Sequence, residues 1–223
     1  MKEHFPLKDR LHTDVLEEKY GPVTSKVIRH DDTRTTVDAL PIREVHIVDS
    51  ENISRTYALT FLTYDSSNET IYDIDQQIKN GGLIGKTFRN HGYEIRKNVV
   101  DVFTVKLSDS LKEWFKVGDN QAKARLAEFY AHKDGSETLI YGYVLELYSP
   151  DFRPADVSDF DKRQINPPSD ALLSCGFTTD EIWRSLDPKN RKLEAIDTKR
   201  YQAATNYRTI MVPAIKKLIS NIT

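Results

Sequence analysis

Apolar and polar side chains alternate along several stretches in the N-terminal two thirds of the chain, a pattern typical of β-strands. In residues 41–49, Arg43, Val45 and Ile47 share one face of the predicted strand. Turn-forming residues and a second β-rich stretch follow, so residues 41–64 are predicted to form an antiparallel hairpin. The pattern places Arg43 in line with two β-branched aliphatic residues, on the face that is predicted to be buried.

Further strands and helices are predicted from the same kind of pattern. The strands comprise residues 23–32, 93–107, 122–133 and 136–150, and the helices comprise residues 6–20, 71–79 and a short helix within 83–88. Residues 111–115 are predicted to form a turn or a short helix. Asp134-Gly135 indicates a tight type I′ turn between the last two strands. Strands joined by hairpins, with a few short helices, predict an α+β fold: a single antiparallel β-sheet with helices on one face.

The composition changes after Pro150. Three prolines follow within twenty residues and predict a loop, and a capping box at Thr178–Glu181 then predicts a short helix. Helical spacing returns at residues 190–222. We therefore divide the chain into an α+β domain, residues 1–150, and a helical C-terminal extension, residues 151–223, packed on that domain or joining two copies as a homodimer.

Composition excludes several classes of protein. The 223 residues are 39% hydrophobic and 30% charged, which is typical of a soluble globular protein, and the net charge of −2 gives no argument for a nucleic-acid partner. No apolar run approaches the roughly 20 residues of a membrane span, and the charged N-terminus lacks a signal sequence, so we expect a cytoplasmic protein. The single cysteine excludes an internal disulfide and a cysteine-based zinc site.

Two charged residues fall among apolar ones and are candidates for a site. A buried guanidinium needs an anionic partner, so Arg43 pairs with a core carboxylate, lies at a solvated sheet edge, or anchors a ligand anion. Glu146 shares a predicted face with Ile140 and Val144 in the last strand. Glu146 either forms a salt bridge with Arg43 or Arg125, or lines the same cavity as Arg43.

Two further cations are candidates near the predicted short helix. Lys86 follows Gly85 at the start of this helix, where unpaired backbone N–H groups attract anions. Arg96 begins the next strand and would reach the face of Arg43 if the sheet curls. The alternative for both Lys86 and Arg96 is a solvated surface charge.

The segment PLKDRLHTDVLEEKYGPVTSKVIRHDD and three segments that follow it, in this order, resemble the bacterial chorismate lyase family, whose opening helix and first strand are similar to the first of them. The family's Leu-Arg-Glu hairpin is similar to IREVHIVDSEN followed by ISRTYALTFL. Its glycine-containing segment is similar to QQIKNGGLIGKTFRNHGYEIRKNVVDVF, with Gly85 and Arg96 at the matching positions. Its closing hairpin, which carries Glu-Leu-Phe-x-Pro, is similar to DGSETLIYGYVLELYSP, where these positions are residues 146–150. The resemblance covers about residues 6–150.

The resemblance implies an activity and roles for individual residues. Members of that family remove the enolpyruvyl ether from chorismate to give 4-hydroxybenzoate and pyruvate, without a metal or cofactor. Arg43 would then bind a substrate carboxylate, and Glu146 would face the ether or hydroxyl end as proton donor or hydrogen-bond partner. Arg96 and the Gly85 backbone would hold the second carboxylate. Positioning and charge stabilisation suit a dianion that is primed to aromatise.

The sequence also departs from the family pattern. His12 stands where the family has an apolar lid residue, and with Lys86 it completes the candidate substrate-binding set. The final hairpin is about four residues longer before Glu146, and residues 151–223 have no counterpart in the compact family members. These differences concern the substrate more than the fold.

Two alternative functions use the same fold. One is the effector-binding domain of a class of bacterial transcription regulators, which binds a small molecule and follows an N-terminal winged helix-turn-helix domain. Only about five residues precede the first predicted helix, and residues 151–223 carry 12 Lys and Arg against 10 Asp and Glu, a net charge of +2, so we expect no nucleic-acid binding. The other is a scaffold protein that has lost the activity.

Overall fold

The computed structural model describes residues 11–36, 40–152, 165–187, 190 and 192–206. Within them, six strands form one sheet in the order β1-β2-β3-β6-β5-β4, and all neighbouring strands are antiparallel. The strands are β1 Thr24–His30, β2 Ile42–Val48, β3 Ser54–Leu62, β4 Glu94–Lys106, β5 Gln121–His132 and β6 Leu139–Tyr148. The prediction of an α+β fold on a single antiparallel sheet is confirmed.

The described helices surround this sheet. They are α1 His12–Tyr20, α2 Glu69–Lys79, α3 Ile84–Asn90, α4 Asp109–Phe115, α5 Ser169–Ser174, α6 Thr179–Ser185, α7 Leu193–Ile196 and α8, residues 198–206. The parts of the two predicted helices that precede residue 11 and follow residue 206 lie outside the described residues. None of the helices described is long and apolar enough to cross a bilayer.

One side of the sheet, which we call the first face, is covered by α1, α2 and α3. Helix α2 begins at Asn68, whose side chain accepts a hydrogen bond from the backbone N–H of Ile71. Its isoleucines at helical spacing, among them Ile71 and Ile78, pack with Phe88 of α3 against Val144 and other residues of the sheet. Apolar burial at this interface holds α2 over β2 and β3.

The opposite side, the second face, is also covered. Leu111 and Phe115 of α4 pack against Leu59 of β3 and its neighbours. The C-terminal helices α5–α8 pack around Tyr130 of β5. Because both faces are buried, alternate residues of the central strands lie in two different cores.

The pairing of β5 with β6 differs from the prediction in two ways. Phe129 pairs with Gly142 but Tyr130 pairs with Ile140, so Tyr141 is an extra residue in a β-bulge. The bulge puts Tyr141 on the first face and Ile140 on the second, so the prediction that Ile140 shares the face of Glu146 is wrong. The predicted turn at Asp134-Gly135 is present, since the Ser136 N–H donates to the Lys133 carbonyl at 2.9 Å, but Asp134 lacks the positive φ of a type I′ turn and six residues separate β5 from β6.

Candidate anion-binding site

Arg43 lies on the first face of the sheet, beneath α2. In the strand register it pairs with His30 of β1 and Thr60 of β3. Its side chain has 0% exposure, which confirms the prediction that it is buried. A guanidinium in such a position depends on its partners, because an unpaired buried charge is costly.

Arg43 belongs to a group of five polar residues that we call the Arg43 cluster. Its Nη1 atom donates to Asp75 Oδ1 of α2 and to the hydroxyl of Tyr141, each at 2.7 Å. The hydroxyl of Tyr141 donates to Asp75 Oδ1, and that of Tyr64 to Asp75 Oδ2 at 3.1 Å. His30 Nε2 lies 3.2 Å from Asp75 Oδ2, within ion-pair distance, although no hydrogen bond of good alignment forms there. The core carboxylate expected for Arg43 is therefore Asp75.

The other edge of the Arg43 guanidinium has no partner in the described part of the chain. Its Nε and Nη2 atoms are buried without a hydrogen bond, and so is the hydroxyl of the neighbouring Thr60. The N–H groups of Nε and Nη2 point in parallel from one side of the guanidinium plane, and this edge fits the two oxygens of a carboxylate. Arg43 is thus neutralised through one nitrogen and keeps a two-donor edge.

The protonation states of the Arg43 cluster follow from its surroundings. Burial alone would raise the pKa of Asp75, but the nearby His30 and the charge of Arg43 lower it, so Asp75 is ionised at neutral pH. Burial raises the pKa of Tyr64 and Tyr141, which therefore keep the protons that they donate. Arg43 and Asp75 together carry no net charge, and His30 adds a positive charge only when it is protonated.

A second polar group, the Glu146 cluster, lies on the same face. Glu146 accepts from Lys97 Nζ at 2.5 Å, from Arg125 Nε and Nη2 at 3.0 and 2.6 Å, and from the Tyr148 hydroxyl at 2.8 Å. Burial would raise the pKa of Glu146, but the charges of Lys97 and Arg125 hold it well below its usual range. The predicted salt bridge between Glu146 and Arg125 is confirmed, and Glu146 is the acceptor in all of these hydrogen bonds.

His12, at the start of α1, is the fifth member of the Glu146 cluster. Its Nε2 atom lies 2.7 Å from the Thr56 hydroxyl. Its ring packs edge-on against Tyr148 and Phe152, with centroid distances of 5.1 and 5.5 Å. Burial lowers the pKa of His12 to about 3, so the imidazole is neutral. His12 and the two aromatic rings form an apolar wall beside the charged groups.

The strand register relates the two clusters. Arg43 aligns across the sheet with Thr60 and Val144, and Glu146 lies two residues further along β6 than Val144. With strands about 4.8 Å apart and about 3.3 Å per residue, the Cα atoms of Arg43 and Glu146 are about 12 Å apart. Residues Ala58 and Thr60 of β3 lie between them. The structure therefore brings both residues to one face of the sheet.

Lys86 and Gly85, at the start of α3, contact α1. Lys86 Nζ pairs with both carboxylate oxygens of Glu17, at 2.6 and 2.7 Å. A Cβ on Gly85 would overlap the side chain of Leu11. Gly85 thus permits a close approach, as its sequence context suggests, but the approaching group is Leu11. Both residues hold α1 against α3 and so support the position of His12.

Arg96 lies on the second face, opposite the other candidates. In the register it pairs with Tyr130, which packs with the C-terminal helices. Its guanidinium stacks 4.1 Å from the Trp183 ring centroid and donates to the Trp183 carbonyl at 2.8 Å and to Glu94. The expectation that Arg96 reaches the face of Arg43 is wrong, because Arg96 pairs with Tyr130 and lies on the second face. The neighbouring Lys97 takes the first-face position instead.

The sequence analysis did not identify six members of the two clusters: His30, Tyr64, Asp75, Lys97, Tyr141 and Tyr148. Asp75 falls on the apolar stripe of α2, between Ile71 and Ile78, and this misplaced carboxylate is a signal that could have identified it. Lys97 could have been identified because it follows Arg96 in the strand and therefore lies on the opposite face of the sheet. Tyr141 was not, because its facing depends on the bulge.

The described residues include no group of three or more His, Cys, Asp or Glu side chains that could hold a metal ion. Their chemistry is that of ion pairing and hydrogen bonding: a buried guanidinium edge, an ionised carboxylate and an aromatic wall. Such a combination of a few convergent polar groups with apolar walls is typical of small-molecule sites.

No protein-family model and no curated protein matches the sequence. Among solved structures, the chain is similar to PhnF from Mycobacterium smegmatis, with 12% identity, a TM-score of 0.43 and coverage of 65% of this chain and 66% of that chain. It is also similar to a GntR-family transcriptional regulator from Bacillus cereus (15% identity, TM-score 0.36, 59% and 94% coverage) and to the C-terminal domain of Yurk from Bacillus subtilis (11%, 0.32, 58% and 86%). The chain spans just under two thirds of the PhnF chain. Likenesses this weak assign no function, so the functional argument depends on the geometry of the site.

Proposed function

We propose that this protein binds a small acidic molecule, with Arg43 as the anchor for the acid group. The observation that carries the proposal is the fully buried guanidinium edge formed by Nε and Nη2, which has no partner among the described residues. Leaving buried donors unpaired is costly, and more so for a charged group. A ligand carboxylate would accept from both donors at once and remove that cost.

The Glu146 cluster supplies the other end of the proposed site. The Oε2 atom of Glu146 accepts hydrogen bonds from Arg125 and Tyr148, whereas the described hydrogen bonds to Oε1 come from Lys97 alone. An ionised carboxylate oxygen has room for a second donor. A hydroxyl group on the ligand fits this position, and the separation of about 12 Å between strand positions suits a molecule with one ring. The wall of His12 and Tyr148 offers an apolar surface to such a ring.

Binding without turnover agrees better with this geometry than elimination of pyruvate from chorismate. The sequence resemblance implies two alternative roles for Glu146 in a lyase, namely proton donor or hydrogen-bond partner. The low pKa of Glu146, set by Lys97 and Arg125, favours the other role, that of a hydrogen-bond acceptor. We therefore place a ligand-binding protein first and a chorismate lyase second.

The test compares an aromatic acid with the uncharged alcohol that lacks its carboxylate. Isothermal titration with 4-hydroxybenzoate should give binding, and the neutral 4-hydroxybenzyl alcohol should bind at least about tenfold more weakly. Arg43→Lys retains a cation for Asp75 but removes the two-donor edge, so it should weaken 4-hydroxybenzoate binding by about tenfold or more.

Arg29→Lys is the matched control, since Arg29 is an exposed arginine of β1 that pairs with Asp31. It should bind as the original protein does. Equal affinity of Arg43→Lys and the original protein, or no binding of any acid, would refute the proposal. Incubation with chorismate should release no pyruvate, and sustained release would restore the lyase to first place.

A further inference from the structure

We infer that the Arg43 site selects a planar carboxylate carrying one negative charge over a phosphoryl group carrying two, and that Asp75 sets this selection. The inference rests on the proposed function, which requires only that the ligand be acidic. It concerns the class of acid, and it follows from how Arg43 is already paired.

The charge of the site disfavours a dianion. Asp75 Oδ1 lies 2.7 Å from Arg43 Nη1, and both side chains have 0% exposure, so the pair contributes no net positive charge. A bound carboxylate brings one uncompensated negative charge into a buried environment, and a phosphoryl dianion brings two. Because the cost of burying charge rises steeply with its magnitude, the dianion is disfavoured.

The shape of the donor set also favours a planar acid group. Asp75 and Tyr141 occupy the Nη1 side of the guanidinium, so the side open to a ligand is that of Nε and Nη2, which includes an edge of two parallel N–H groups. A planar carboxylate uses both donors with both of its oxygens. A phosphoryl group has three oxygens in a tetrahedral arrangement, so this planar edge pairs with two of them and the third lies out of the guanidinium plane.

Asp75 is a positioning residue in this arrangement. It contacts Arg43 rather than the ligand, and it is itself fixed by the hydroxyls of Tyr64 and Tyr141 and by its place on α2. Replacing Asp75 with asparagine keeps the shape but changes the net charge of the pair from zero to +1. A residue that only maintained the fold would weaken all ligands alike, whereas Asp75 should change the preference between them.

The experiment measures the affinities of benzoate and phenyl phosphate by isothermal titration at pH 8. The phosphoryl group, with a second pKa of about 6, is doubly charged at this pH. The original protein should prefer benzoate by at least about tenfold. In Asp75→Asn this preference should shrink by about tenfold, chiefly through tighter binding of phenyl phosphate.

Tyr141→Phe is the comparison variant, because it removes a hydrogen bond to Arg43 without changing the charge. It should weaken the binding of both ligands and leave the ratio of their affinities unchanged.

Equal or tighter binding of phenyl phosphate by the original protein would overturn the selection but leave the proposed function in place. An unchanged ratio in Asp75→Asn would overturn the role of Asp75. If neither compound binds, nor 4-hydroxybenzoate, the proposed function and the inference fail together. If Asp75→Asn does not fold, the ratio in the original protein still decides the selection.

Discussion

Glu128 of β5 accepts hydrogen bonds from both the backbone N–H and the hydroxyl of Ser169, at 2.7 and 2.6 Å. Ser169 is the first residue of α5, so a carboxylate from the sheet satisfies a donor at the start of this helix. Asn98 Nδ2 also donates to Glu128, at 2.7 Å, and the Tyr130 hydroxyl contacts that of Ser169. This buried network fixes the C-terminal helices on the second face, on the side opposite the proposed ligand site.

Ser169→Ala should destabilise the protein, because Glu128 and Tyr130 each lose a buried hydrogen-bond partner. The expected loss in the free energy of unfolding is about 1–3 kcal/mol. Chemical denaturation followed by tryptophan fluorescence measures it, since Trp183 lies in the same region. Ser174→Ala, at an exposed position of the same helix, should change stability by less than about 0.5 kcal/mol. Equal stabilities for the two variants would contradict a stabilising role of the network.

The stability contributed by Glu128 should depend on pH. Burial raises the pKa of Glu128 above its ordinary value of 4.5, so the folded state binds this proton more tightly than the unfolded state does. Stability from this group is therefore fully present at low pH and decreases as the pH rises through the window between 4.5 and the raised pKa. The difference in unfolding free energy between Glu128→Gln and the original protein, followed from pH 4 to pH 8, should shift in favour of the variant as the pH rises. A constant difference would show that the titration is not coupled to folding.

Acidification should reduce the stability that His12 contributes, which is the opposite of its effect on the contribution of Glu128. Its folded pKa of about 3 lies below the ordinary 6.5, so its contribution to stability is present above pH 6.5 and is lost as the pH falls. The slope cannot exceed about 1.4 kcal/mol per pH unit. His12→Gln should reduce the loss of stability between pH 6.5 and pH 4, whereas His132→Gln, at a partly exposed position, is the control. Identical pH profiles for the original protein and His12→Gln would rule out this role.

Gly142→Ala should be among the most destabilising single-methyl changes in the sheet. A Cβ at this position would overlap the backbone carbonyl of Phe61 on the neighbouring strand, and backbone cannot move aside cheaply. We expect a loss of at least about 2 kcal/mol in the free energy of unfolding. Gly118→Ala is the control, since a Cβ there meets nothing within 4 Å. A melting temperature of Gly142→Ala within error of that of Gly118→Ala would contradict this account.

The candidate site was only partly predictable. The position of Arg43 among apolar residues was visible in its strand and led to the correct expectation of a buried guanidinium. Its partner was not, because Asp75 lies 32 residues away and reaches Arg43 only when α2 packs across β2. Glu146 was found by the same kind of argument, together with the possibility that it pairs with Arg125.

The sequence by itself determined the strands, most of the helices and the burial of Arg43, because these depend on alternation and spacing between near neighbours. Only the tertiary structure determined which residues of different strands lie on the same face of the sheet. It placed Lys97 rather than Arg96 on the face of Glu146, and a single bulged residue, Tyr141, moved Ile140 to the other core. It also brought the carboxylate of Glu128 to the start of α5, where it accepts from Ser169, 41 residues further along the chain. Facing and long-range pairing are properties of the assembled sheet, where a shift of one residue reverses every side chain beyond it.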